Sequence, residues 1–113
     1  MNNDFHDIEA MRRISLNARS KTSIEQINEA IMESAKEGFF IAKCYVHLFD
    51  GNSLSYKNVT FKEDDPEIIW LKDAGYQVKI FDNDPFSHLM ICWAENAIWS
   101  DEEKDWIYDT KNR

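Results

Sequence analysis

Glycine and proline are scarce in this 113-residue chain, with three and two residues. That excludes collagen-like and linker-rich architectures and predicts regular elements joined by short turns. Cysteine is almost absent as well. Cys44 and Cys92 are the only two, each inside an apolar, strand-like run. They read as buried thiols of a reducing compartment, with a disulfide between neighbouring strands as the alternative. No apolar run approaches the roughly 20 residues of a membrane span. Residues 1–7 have neither a basic n-region nor an apolar h-region, so no signal peptide is expected and the location expected is cytoplasmic. Positive charge is in deficit: 13 Lys and Arg face 21 Asp and Glu, for a net charge of −8 and a pI near 4.8. That balance argues against direct binding of nucleic-acid phosphates and against an anionic membrane surface. Glycine-rich phosphate loops, C-x-x-C pairs, HExxH and calcium-loop patterns are all missing.

What is present describes one soluble domain. Aromatic residues make up 13% of the chain, enough with the aliphatics to build a core at this length. Phe5, Ile8, Met11, Ile14 (or Ser15) and Ala18 recur at helical spacing, so residues 1–22 are read as a helical segment that the polar cluster 17–23 breaks. Thr22–Glu25 and Ser23–Gln26 both have the form of a capping box. Behind them Ile24, Ile27, Ile31 and Ala35 share a face, and Gly38 reads as the stop. A helix is predicted over Ser23–Glu37. Phe39–Leu48 alternates, with Phe40, Ala42, Cys44, Val46 and Leu48 on an apolar face, so it reads as a half-buried strand. Asp50-Gly51-Asn52 is a turn signal and Leu54–Phe61 reads as a second strand, which predicts a hairpin across the turn.

Asp64 or Asp65 caps a short helix with Pro66 at its first position, Ile68, Ile69 and Leu71 facing inward, and Gly75 at its end. Tyr76, Val78 and Ile80 mark a third strand. Asn83-Asp84-Pro85 turns the chain into a fourth, Phe86–Ala94, which is apolar on both faces and so is expected to be central or covered on its second face. Ser100-Asp101-Glu102-Glu103 has the form of another capping box and predicts a C-terminal helix over 100–109. The last residues, 110–113, are expected to fray. The order α(α)ββαββα gives an α+β domain over 1–113. Its core, 23–94, is expected to hold about four strands in an antiparallel or mixed sheet, with the helices mainly on one face.

Catalytic signals are thin. His6, His47 and His88 are isolated, and Cys44 and His47, three apart on a strand, point to opposite faces. A Cys–His pair assembled across strands, such as Cys92 with His47, is the one nucleophilic arrangement open to the chain; buried thiols and surface imidazoles are the simpler reading. Asp82-Asn83-Asp84 and Asp50-Gly51-Asn52 offer oxygen ligands but read more simply as Asx turns. No cofactor or metal is expected, and the chain is read as not an enzyme.

The charge is uneven. Residues 50–113 carry fourteen carboxylates against seven cations. The surplus gathers in two runs, Glu63-Asp64-Asp65-Pro66-Glu67 and Asp101-Glu102-Glu103-Lys104-Asp105. Helix capping and solubility account for part of this. The functional reading is an acidic face for a basic partner, with Trp99 and Trp106 beside the second run as docking anchors or as a lid on the chain's own sheet. The candidate partner-binding residues are therefore Glu63, Asp64, Asp65, Glu67, Trp99, Asp101, Glu102, Glu103, Asp105 and Trp106.

Two blocks dominate the middle of the chain. One is the amphipathic helix Ile24–Gly38 running into the strand Phe39–Leu48. The other is Leu71-Lys72-Asp73-Ala74-Gly75-Tyr76-Gln77-Val78, followed by the closing strand Leu89-Met90-Ile91-Cys92-Trp93. Over about residues 23–94 this pattern resembles small accessory proteins of tailed bacteriophages. The resemblance implies an α+β protein that binds and inhibits a basic host or defence macromolecule, with nucleic-acid mimicry as one mode, acting in the host cytoplasm. It carries over no functional residues. Two alternatives come from the residues themselves. One is a small-ligand (nucleotide-like) binding or sequestering protein, its pocket lined by Tyr45, Tyr76 and Trp93; the other is a structural or assembly subunit, for which a homo-oligomer is the natural form.

Overall fold

A computed structural model describes residues 5–49, 54–83 and 86–108. Three helices, α1 (Ile8–Ala18), α2 (Ser23–Lys36) and α3 (Pro66–Asp73), accompany seven short strands: β1 (Ile41–Cys44), β2 (His47–Phe49), β3 (Tyr56–Asn58), β4 (Gln77–Phe81), β5 (His88–Cys92), β6 (Ala97–Ser100) and β7 (Asp105–Tyr108). The chain is α+β, as the sequence predicts. The single four-stranded sheet is not formed. Instead there is a three-stranded antiparallel sheet in the order β1-β5-β4 and two separate two-stranded pairs, β2-β3 and β6-β7. The turn residues 50–53 and 84–85, and the fraying expected at 110–113, lie outside the described residues.

The helix boundaries follow local chemistry. Thr22 and Glu25 close the capping box of α2: each backbone amide donates to the other's side chain at 3.2 Å. Both α2 and α3 end in a Schellman motif. Gly38 N–H donates to Ala35 and Phe39 N–H to Ser34; Gly75 N–H donates to Lys72 and Tyr76 N–H to Leu71. The motif places its glycine in the left-handed region, with φ +92 at Gly38 and +103 at Gly75, where a Cβ is disfavoured.

The run Phe39–Leu48 splits because its partner changes. Ile41–Cys44 pairs with β5, while His47–Phe49 pairs with β3. At the break, the Gln26 side chain stands in for a neighbouring strand. It accepts from His47 N–H at 2.9 Å and donates to His47 C=O at 3.0 Å. Because Thr22 and Glu25 form the capping box, Gln26 is free for this role.

Strand β5 is central, as its two apolar faces predict. Residues opposite one another across strands share a face. Ala42, Ile91 and Val78 therefore lie on one side, with Cys44, Leu89 and Ile80. Against that face pack Ile27 of α2, Ile68 and Leu71 of α3, and Phe61 and Val46. Ile68, Leu89 and Ile91 are fully buried, each contributing roughly 1.5–3 kcal/mol of burial free energy. Helices α2 and α3 thus share one face of the sheet. Helix α1 has no buried residue.

The predicted C-terminal helix over 100–109 is a hairpin instead. Strands β6 and β7 pair through Ala97↔Tyr108, Ile98↔Ile107, Trp99↔Trp106 and Ser100↔Asp105. The capping signal is real but local: Ser100 Oγ accepts from Glu103 N–H at 3.2 Å. It closes a four-residue turn, and Lys104, at φ 54, then sends the chain back. An i to i+3 side-chain bond is common to helix starts and to tight turns. The residues that follow, Trp106-Ile107-Tyr108, are strand formers, and a helix of about nine residues is marginal without a packed face.

Candidate functional surface

The first acidic run precedes and enters α3. Glu63 pairs with Lys72 at 2.5 Å, with both side chains largely exposed. Asp65 is the N-cap residue but makes no side-chain cap bond; its Oδ2 accepts from Lys62 N–H at 2.9 Å instead. Asp64 is exposed. Glu67 is half-buried and lines a small cleft with Ile24, Asn28 and Trp70. This run is therefore engaged in local structure, with one carboxylate in an ion pair and one holding a turn.

The second run is arranged differently. Asp101, Glu102 and Glu103 occupy the hairpin tip and Asp105 opens β7; all four are exposed. None takes part in an ion pair among the described residues. Among the described residues, the only side-chain bond from the three tip carboxylates is at Asp101 Oδ1, which accepts the Trp99 indole N–H at 3.0 Å. Asp105 Oδ1 accepts from the adjacent Trp106 amide.

The two tryptophans mount this hairpin on the sheet. Trp106 is only 7% exposed, and its indole N–H donates to Gln77 Oε1 at 3.0 Å. The other end of that amide donates to Ala97 C=O at 2.7 Å. Gln77 thus ties both hairpin strands to β4. Trp99 meets Trp106 edge to face at 4.9 Å, lies beside Phe81 at 6.2 Å, and takes the Lys79 ammonium over its ring at 5.2 Å. Trp106 is placed as a lid residue on the chain's own sheet, so an anchor for a partner does not come from it. Trp99, half-buried, remains at the edge of the mount.

The second face of the sheet gathers residues that the sequence pattern does not bring together. Tyr45, His88 and Phe81 form a row, with centroid distances of 5.0 Å from Tyr45 to His88 and 4.8 Å from His88 to Phe81. Trp99 continues it. Lys43, Met90 and Lys79, mutually paired in register, form the next row. The available signal was alternation: Lys43 and Tyr45, Lys79 and Phe81, His88 and Met90 each stand two apart on a strand. Tyr76 and Trp93 meet edge to face at 6.2 Å and pack against the helix-covered core. Tyr45 belongs to the other face. The pocket expected between Tyr45, Tyr76 and Trp93 is therefore not assembled.

An apolar groove of about 260 Å³ runs between the start of β1 and the hairpin, lined by residues that include Phe39, Phe40, Ile41, Ala97, Ile107 and Tyr108. Cys92 forms part of its floor, 1% exposed. Burial pushes the Cys92 thiol up; a backbone hydrogen bond at Ala94 draws it partly back, and the Asp105 carboxylate adds to the rise. Burial alone raises the Cys44 thiol from its ordinary 9.0 to about 11. Neither thiol has the depressed pKa of a nucleophile. The Cys44 thiol makes a long contact to Gln26 C=O, and His88 Nδ1 meets Phe86 C=O at 2.8 Å. Among the described residues no group of three or more His, Cys, Asp or Glu could hold a metal ion, and no helix is long and apolar enough to cross a membrane.

Comparison of this chain with protein-family models, with curated proteins and with solved structures finds no match.

Proposed function

We propose that this chain is a non-enzymatic binding protein that blocks a basic macromolecular partner, with the carboxylates of the β6–β7 hairpin tip occupying the partner's nucleic-acid-binding surface. The observation that supports this reading is the tip itself. Asp101, Glu102 and Glu103 are exposed and free of ion pairs among the described residues, on a hairpin held by the Trp106–Gln77 bond and the indole pair. A fixed, unneutralised group of like charges steers and orients a basic partner at little ordering cost. The first run, with Glu63 already paired to Lys72, belongs to α3 on the helix-covered side of the sheet, opposite the face that Trp99 joins, and is left out of the proposed contact. Trp99 forms the apolar border of the contact, and Trp106 serves as its mount. A host or defence nuclease or polymerase fits this description of a partner.

The test is capture of basic nucleic-acid-binding proteins from bacterial lysate on the immobilised chain, followed by competition between the chain and a DNA duplex for the captured protein. Neutralising the tip as D101N/E102Q/E103Q should weaken competition by about tenfold or more and flatten its salt dependence. Affinity that stays unchanged from low to high salt, or after tip neutralisation, sinks the proposal.

A further inference from the structure

We propose that two copies of this chain associate by exchanging N-terminal arms, α1 of each copy lying in the apolar groove beside the β6–β7 hairpin of the other. The donor side is α1. Asp7 caps it, accepting from Ala10 N–H at 3.0 Å, yet none of its residues is buried. Ile8, Ile14 and Leu16 are 61%, 57% and 67% exposed. A helix of 11 residues is too short to persist in water on its own propensity and is normally held by a packed apolar face. Here the body supplies only part of one. Leu54 shares a cleft with Ile8, Met11 and Leu16, and the Arg19 guanidinium lies over the Phe49 ring at 4.8 Å.

The receiving side is the groove. No charged residue lines it, and Phe39, Phe40, Ile107 and Tyr108 are all exposed along it. Laying an amphipathic helix into such a groove is a recurring recognition mode. Charge selects the occupant. Residues 5–22 hold Arg12, Arg13, Arg19 and Lys21 against Asp7 and Glu9, a net of +2 that the Lys21–Glu29 ion pair to α2 reduces to +1, with Arg12 paired to Glu9 inside the arm; they include three of the chain's four arginines. The whole chain is at −8. Among the described residues, the charged neighbours in sequence of the groove-lining residues are Glu37, Glu95 and Asp105, all exposed. A basic apolar arm thus occurs on the same chain as an apolar groove whose lining residues have acidic neighbours in sequence.

The two do not meet within one copy. The arm joins the body at the N-terminal end of α2, and the groove begins at Gly38, beyond its C-terminal end. The 14 residues of α2 span about 21 Å. Reciprocal exchange between two copies is isologous and closes on itself, so it yields a dimer and not a filament.

Light scattering coupled to size exclusion on the full chain, over a concentration series reaching the high-micromolar range at low and high salt, is the first measurement. A dimer that weakens with salt is expected; a monomer throughout overturns the proposal. The decisive test uses two reversed chains, R12E/R13E on the arm and E37K/E95K next in sequence to the groove-lining Gly38 and Ala94. All four positions are exposed, and circular dichroism and melting temperature check that each variant folds. Each variant alone should dimerise about tenfold or more weakly. Mixed together they should form a heterodimer, because both arm–groove contacts are then matched. Failure of the mixture to restore association, or homodimers indifferent to either reversal or to I14D, overturns it. The tip carboxylates are untouched, so the outcome is read separately from partner binding.

Discussion

Replacing the two indoles of the hairpin one at a time and together tests the architecture where sequence and structure part. In the hairpin, Trp99 and Trp106 face each other across strands at 4.9 Å. Had 100–109 been a helix, the two would be seven residues apart along one strand of backbone, about 10.5 Å along the axis, and would not touch. Trp106→Phe keeps most of the buried ring but loses the bond from the indole N–H to Gln77. Gln77 is itself exposed, so water can replace that donor and the cost is about 1 kcal/mol. For a chain of this length that lowers the melting temperature by about 4 °C. Trp106→Ala removes a side chain that is 7% exposed, at a cost of about 3–5 kcal/mol, a large fraction of a small domain's stability. The edge-to-face contact itself should appear as a coupling of about 0.5–1.5 kcal/mol in the cycle of Trp99→Phe, Trp106→Phe and the double variant. Chemical denaturation gives the energies, and the exciton couplet of the paired indoles in circular dichroism gives the geometry. Single-variant effects that add to within about 0.3 kcal/mol, with a couplet absent from the wild type, would refute the hairpin.

Other consequences are as direct. Gln26→Ala should cost about 1–3 kcal/mol, because the half-buried His47 loses both backbone partners at once, and exchange of the His47 amide should accelerate; an unchanged exchange rate counts against Gln26 as a substitute strand. Gly75→Ala should cost about 1–2 kcal/mol through backbone strain alone, since a Cβ there meets no atom within 4 Å and φ is +103; a neutral melt would show that the helix end can re-form without the left-handed residue. The raised Cys44 thiol makes stability depend on pH at the alkaline end. Below 9.0 both folded and unfolded thiols are protonated and the contribution is constant; between 9.0 and about 11 only the unfolded thiol ionises. Stability should therefore fall across that window by up to about 1.4 kcal/mol per pH unit from this group. The stability gap between wild type and Cys44→Ala should narrow there, and parallel pH profiles for the two proteins would show that the thiol is not held protonated.

The parts of the fold that were readable in the sequence are those whose cause is local. The Thr22–Glu25 capping box, Pro66 at the start of α3, and the Gly38 and Gly75 stops all depend on residues within one turn of one another, and the structure uses each of them. The two apolar faces of Leu89–Cys92 were enough to place β5 at the centre, because only a flanked strand can bury both sides. The candidate surface was legible as composition only. Asp101–Glu103 stand out as a charge run in any reading, but whether they begin a helix or tip a hairpin depends on where Trp106 is buried.

That division has one physical origin. By itself the sequence determined the class of the domain, the helix ends, the alternating faces of each strand and the acidic character, since capping bonds, backbone sterics and side-chain period act over a few residues. The tertiary structure decided which strands pair, and pairing decided the rest. Partner exchange at Tyr45–Val46 breaks one predicted strand into two. Gln77, the first residue of β4, binds Trp106 and Ala97 twenty or more residues away, and that contact turns a helix-start signal into a β-turn. It lifts three carboxylates on a braced tip and sets the hairpin as one wall of an apolar groove. Contacts of that separation carry no local signature, because their free energy is realised only when the two surfaces meet.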